Sequence, residues 1–167
     1  MDSLLSILGS IASIGGAYYA YRQARRSRKY ATEAQNLRDE LINRRKLIEV
    51  SQVHSETNRI LKVVSKVGPT STVTSIKGIN VTSISQDVEE YSRYLNSQHS
   101  HFSELFRNRA AKLCKSLNPD IEKLSESMEF EDIKSAGKSI YYKINDFLPL
   151  VKSLTDEKKE QSSTFQD

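Results

Sequence analysis

Between Arg22 and Lys66 the chain contains neither proline nor glycine. Ala, Arg, Glu, Leu and Lys dominate the segment, and these residues lose little side-chain freedom in a helix. One long helix is therefore expected. If it joins the uncharged stretch before it and runs from Ser3 to Lys66, it reaches ~96 Å at ~1.5 Å per residue. Gly68-Pro69 supplies a sharp stop. The rest of the chain has few structure breakers, with six Gly and three Pro among 167 residues. That disfavours a turn-dense β-sandwich. The expected fold class is all-α: an elongated antiparallel helical bundle, with an N-terminal hydrophobic membrane helix continuous with a long stalk helix. A hydrophobic fraction of 37% fits thin helices packed along narrow stripes.

The stretch before that helix is the strongest functional signal. Ser3 to Tyr21 carries no charge. As a helix it reaches roughly 28 Å, close to the ~30 Å of a bilayer's hydrocarbon core. Tyr18, Tyr19 and Tyr21 cluster at its end, where an interfacial aromatic belt lies. Arg22, Arg25, Arg26, Arg28 and Lys29 follow at once. This cluster holds the basic excess, because residues 68–167 carry thirteen bases against fifteen acids. The positive-inside rule places such a cluster in the cytoplasm, with Met1 on the far side. A cleavable signal peptide has its positive charge on the other flank.

The strong hydrophobes of this stretch are only Leu4, Leu5, Ile7, Leu8, Ile11 and Ile14. Ser6, Gly9, Ser13, Gly16 and Ala20 form a small-residue stripe of the kind that lets helices approach closely in lipid. The reading is a single-span anchor that packs against further copies. An interfacial amphipathic helix and a buried helix of a soluble bundle are the alternatives.

The expected domain organisation follows. Residues 3–21 form the anchor helix and 22–67 the basic juxtamembrane and stalk helix. Residues 68–85 form a Ser/Thr-rich loop or small hairpin, 86–155 the bundle region and 156–167 a polar tail. In the stalk, Val50, Val53, Thr57, Ile60, Val64 and Val67 recur at three and four. Ala34, Leu37, Leu41 and Ile48 form an earlier stripe in another phase, which predicts bundle packing for both. The Arg44–Lys46 run between them reads as a solvated face. Ser83 with Gln86 resembles a capping box for the next helix. That helix carries Val88, Tyr91, Leu95, Phe102, Leu105, Phe106, Ala110, Leu113 and Leu117. Asn118-Pro119 is expected to end it, with a short helix then covering Ile121, Leu124 and Met128. A last helix from Phe130 should kink or break near Phe147, because Pro149 lies inside it.

The sequence offers no catalytic, cofactor or metal constellation. One cysteine excludes a disulfide framework and multi-cysteine metal sites. Gly137-Lys138-Ser139 lacks the earlier glycine of a phosphate loop, since position 132 is Asp. Gly137 instead reads as a helix contact, with Lys138 solvated. His99 and His101 point ~200° apart on a helix and cannot grip one metal together, and His54 is remote. Cys114 reads as a packed thiol. Tyr91, Tyr94, Tyr141 and Tyr142 are expected to bury their rings and keep their hydroxyls wet.

This layout resembles two kinds of protein: membrane-attached accessory or effector components of bacterial defence and toxin systems, and the N-terminal helical death-type domains of fungal immune proteins. The resemblance covers residues 3–21 and the general helicity, and it assigns no residue a role. The expected function is a non-enzymatic, membrane-anchored scaffold or adaptor that self-associates. Its partners are membrane lipids, further copies of itself and an unidentified protein. A membrane-permeabilising effector and a soluble partner-binding module are the alternatives. Nucleic acid is disfavoured, because such binders spread cations over a folded face.

Overall fold

The computed structural model describes the backbone of residues 2–102, 106 and 108–163, and the side chains of residues 13, 15–98, 106 and 108–161. Every regular element among them is helical: α1 (Asp2–Val64), α2 (Val73–Ile76), α3 (Val81–Phe102), α4 (Arg109–Glu126) and α5 (Phe130–Ser163). The fold is an all-α helical bundle. The chain divides into two compact units, Met1–Arg44 and Arg45–Asp167.

The second unit holds the core. Val50, Val53, Thr57, Ile60, Val64 and Val67 are all fully buried, so the three-four stripe at the end of α1 is a core face. Val88, Tyr91 and Leu95 of α3, Leu113, Leu117 and Leu124 of α4, and Ile140, Ile144 and Val151 of α5 complete it. α4 packs against both α3 and α5. The earlier stripe does not join this core. Leu37, Leu41 and Ile48 are 60%, 67% and 59% exposed, contrary to the expected bundle packing.

The segment after Gly68 forms helix and no hairpin. Thr72 Oγ1 accepts from the Ser75 amide at 3.2 Å, while Ser75 Oγ accepts from the Thr72 amide at 2.8 Å. This reciprocal cap starts α2, and Ile76 anchors it in the core. Gly78, at φ 91°, makes the left-handed turn that follows. Asn80 Oδ1 then accepts from the Ser83 amide at 3.0 Å at the start of α3. The cap is therefore Asn80, upstream of the expected Ser83–Gln86 box. Side-chain oxygens that satisfy helix amides outweigh the β-propensity of the scattered Val and Ile here.

The expected helix from 86 to 117 is two helices. α3 runs through the polar stretch Asn96–His101 and ends at Phe102, and α4 begins at Arg109. Asn108 adopts the left-handed conformation, φ 62°, just before α4. Phe106 is fully buried, its ring 5.8 Å from that of Phe147. Phe102 and Leu105, also expected in this register, have side chains outside the described residues.

Neither internal proline ends its helix. Pro119 lies inside α4 and Pro149 inside α5. Each removes the amide that would bond the carbonyl four residues earlier, on Lys115 or Asn145. Both prolines and both of those residues are exposed, so water can take the freed carbonyl. Meanwhile Leu113, Leu117 and Leu124 keep one buried register through Pro119, and Ile144, Phe147 and Val151 do so past Pro149. Helix α5 continues to Ser163, into the expected polar tail.

Gly137 is a close-contact glycine. A Cβ there would collide with the Val67 carbonyl, 2.8 Å from its carbon. Beside it, a polar clasp joins α4 to α5. Lys143 Nζ donates to the Ser116 carbonyl and to Asp120 Oδ2, both at 2.7 Å, and Ser139 Oγ donates to the same Asp120 oxygen at 2.7 Å. The serine of the rejected phosphate-loop match is thus a helix-to-helix contact.

Candidate functional site

The surface most unlike the rest of the protein lies on the N-terminal part of α1. Tyr18, Tyr19 and Tyr21 are 67%, 71% and 68% exposed. Arg22, Arg25, Arg26, Arg28 and Lys29 follow, all exposed. Among the described residues Arg22, Arg25, Arg26 and Arg28 make no ion pair, and Lys29 stands 3.7 Å from Glu33. Further along, Arg44 and Arg45 reach carboxylates one turn away, at 2.8 and 2.7 Å. Helical spacing places Arg22, Arg25, Arg26 and Lys29 within an arc of about 100°, with Tyr18 one turn before Arg22 on the same side. Arg28 lies outside that arc. This arrangement can present several cations at once to anionic groups, each worth about 1 kcal/mol beside an anionic lipid surface.

The small-residue stripe shares this helix. Ser13, Gly16 and Ala20 are exposed, and a Cβ added at Gly16 would meet nothing within 4 Å. The side chains of Ser6 and Gly9 lie outside the described residues, as do those of Leu4, Leu5, Ile7, Leu8, Ile11 and Ile14. Among the described residues no helix is long and apolar enough to cross a membrane.

The second unit uses its reactive groups internally. Cys114 is buried, its thiol donating to the Ser92 carbonyl at 3.4 Å. Burial pushes that thiol's pKa up, and the Ser92 contact offsets part of the rise. Thr57 Oγ1 donates to the Val53 carbonyl at 2.7 Å and lies 2.9 Å from the Tyr91 hydroxyl. With the threonine proton so engaged, Tyr91 is the donor to Thr57. The Tyr91 hydroxyl is thus dry and paired, contrary to the expectation of a wet one. Burial holds it well above the usual tyrosine range, only partly countered by Thr57.

A groove of about 500 Å³ opens beside Tyr91, lined by Gln52, Ser55, Glu56, Arg59, Glu90 and Tyr94. Its cation is already engaged: Arg59 donates to Glu56 at 2.7 Å and to Asp87 at 3.4 Å. The Glu56 hydrogen bond leads the causes that raise the pKa of Arg59. Among the described residues no group of three His, Cys, Asp or Glu side chains is placed to hold a metal. His99 and His101 have side chains outside that set, while His54 is half-buried and its carbonyl accepts from Asn58 at 3.0 Å.

The Ala34–Ile48 stripe is left open rather than packed. Its signal was the phase change after Ile48, which allows only one of the two stripes to face a given core. No protein family, curated protein or solved structure matches this chain.

Proposed function

We propose that this chain is a non-enzymatic helical scaffold or adaptor, held at a membrane by the first part of α1 and self-associating along that helix. Residues 3–21 form the anchor, Met1 lies outside, and the helical unit from Arg45 onward lies in the cytoplasm. The observation that carries this reading is the exposed Tyr18–Tyr21 cluster, followed within one turn by Arg22, Arg25, Arg26 and Arg28, which make no ion pair among the described residues. Aromatic rings settle at the interface and cations at the headgroups beyond it. The small side chains of Ser13, Gly16 and Ala20 leave room for a second helix to approach in lipid.

Fractionation of cells expressing the full chain tests the anchor. The expected result is a pellet that resists alkaline carbonate, and a soluble chain once residues 1–21 are removed. Full release by high salt would overturn the span and leave electrostatic surface attachment. Dye entry into expressing cells that disappears with G9L/G16L would favour the permeabilising alternative instead.

A further inference from the structure

Tyr30, Ala34, Leu37 and Leu41 follow one another at four, three and four, the spacing of a coiled-coil seam. Ala34 and Leu41 then take the a positions, and Tyr30 and Leu37 the d positions. In the same register Ser13, Gly16, Ala20, Gln23 and Ser27 occupy the preceding seam positions. The small-residue stripe and the apolar stripe are thus one stripe. The spacing continues in the sequence to Ser6 and Gly9 on one side and to Arg44 and Ile48 on the other. The strict three-four repeat drifts slowly around a straight helix, and a left-handed supercoil with a neighbour absorbs that drift. Among the described residues nothing in the first unit covers the stripe: Tyr30, Leu37 and Leu41 are 65%, 60% and 67% exposed. The core residues Val50, Val53, Thr57, Ile60, Val64 and Val67 fall on c and f of this heptad, a different face.

The charges flanking the stripe identify what covers it. Glu33 and Glu40 occupy successive g positions, and Arg38 and Arg45 successive e positions. In a parallel, in-register pair, each g residue meets the e residue five positions on in the other strand. Glu33 then faces the second copy's Arg38, and Glu40 the second copy's Arg45. In an antiparallel pair g faces g and e faces e, which sets glutamate on glutamate and arginine on arginine. Within one chain Glu40 pairs with Arg44 at 2.8 Å and Arg45 with Glu49 at 2.7 Å, with both arginines exposed and both glutamates half-buried. Such surface pairs contribute little, so exchanging or sharing them costs little. Arg44 sits at a d position, and its bond to Glu40 draws the guanidinium off the seam while its stem stays over it. Arg22, Arg25, Arg28 and Lys29 fall on c, f, b and c, clear of the seam. A parallel pair also brings both cation clusters to the same end, facing one membrane.

We propose that a second copy of this chain covers this stripe, forming a parallel, in-register two-stranded coiled coil through Tyr30–Arg44 that carries on to Ile48. It rests on the reading of α1 as a self-association helix and adds the face, the direction and the register. Full-length chain in a C114S background, with L37C or D39C added, is oxidised and run without reductant. L37C is expected to cross-link, because d residues face each other across a parallel dimer, whereas D39C at f is not. E33R/E40R and R38E/R45E are each expected to lose about tenfold in self-association, and mixing the two to restore it as a heterodimer.

A dimer by sedimentation whose L37C chains do not cross-link would overturn this seam while leaving self-association through another face. Y30C joining L41C, with neither joining itself, would establish the antiparallel arrangement, in which a faces d, and overturn the proposal. Monomers throughout would overturn both the seam and self-association. Unchanged thermal melting of the bundle in every variant separates these outcomes from misfolding. Cross-linking by L37C in protein that high salt fully extracts would sink the membrane span and keep the seam.

Discussion

At the scale of single residues, the least tolerant position is Gly137, where α5 meets the Val67 carbonyl. Even one methyl group there forces backbone apart. G137A should lose about 1–3 kcal/mol of unfolding free energy in urea, whereas G16A, with nothing within 4 Å, should leave the melting of the second unit unchanged. Tyr91 makes a second residue-level prediction. Its hydroxyl is buried and its pKa raised, and that of Cys114 is raised for the same reason. The unfolded chain therefore releases these protons first as pH rises. Their contribution to stability is complete below the unfolded values of about 8.5 for the thiol and about 10 for the phenol, and fades above them. Thermal melts at pH 8 and pH 11 should show a loss in the native protein that Y91F reduces. At pH 8, Y91F itself should cost about 1 kcal/mol, because it removes the hydrogen bond to Thr57.

At the scale of elements, local chemistry and tertiary packing divide the decisions. Helix α1 was readable from composition, and its end at Val64, a turn before Gly68-Pro69, was signalled by those two residues. The prolines misled because the sequence does not show which side of a helix is wet. Pro119 keeps its place in α4 because Lys115, whose carbonyl it leaves unbonded, is exposed, while Leu117 and Leu124 stay in the core. P119A restores that bond and should stabilise the protein by about 1–2 kcal/mol, net of the freedom regained by the unfolded chain. Urea midpoints at matched slopes would measure it. The segment from 70 to 85 misled in the opposite sense. Its Val and Ile content suggested strand, yet Thr72, Ser75 and Asn80 each place a side-chain oxygen on a helix amide.

At the scale of the whole molecule, every buried hydrophobic residue among the described ones lies between Val50 and Leu154. A chain of residues 45–167 should therefore melt cooperatively, within a few degrees of the full protein, and a non-cooperative transition by calorimetry would contradict the division into units. The exposed tyrosine cluster, the cation cluster and the small-residue stripe were all legible in the sequence, because each is a pattern along one helix. The clasp of Asp120, Ser139 and Lys143 was not, since its members are 19 and 23 residues apart and meet only when α4 packs on α5. The sequence by itself determined that this chain is helical, where its longest helix stops, and which positions share a face, because helical period and backbone restrictions are local. Only the tertiary structure decided which apolar stripe of α1 is spent on the core and which is left open. Two stripes on different faces of one helix cannot both turn toward the same bundle, and neighbours distant in sequence determine which of them is buried.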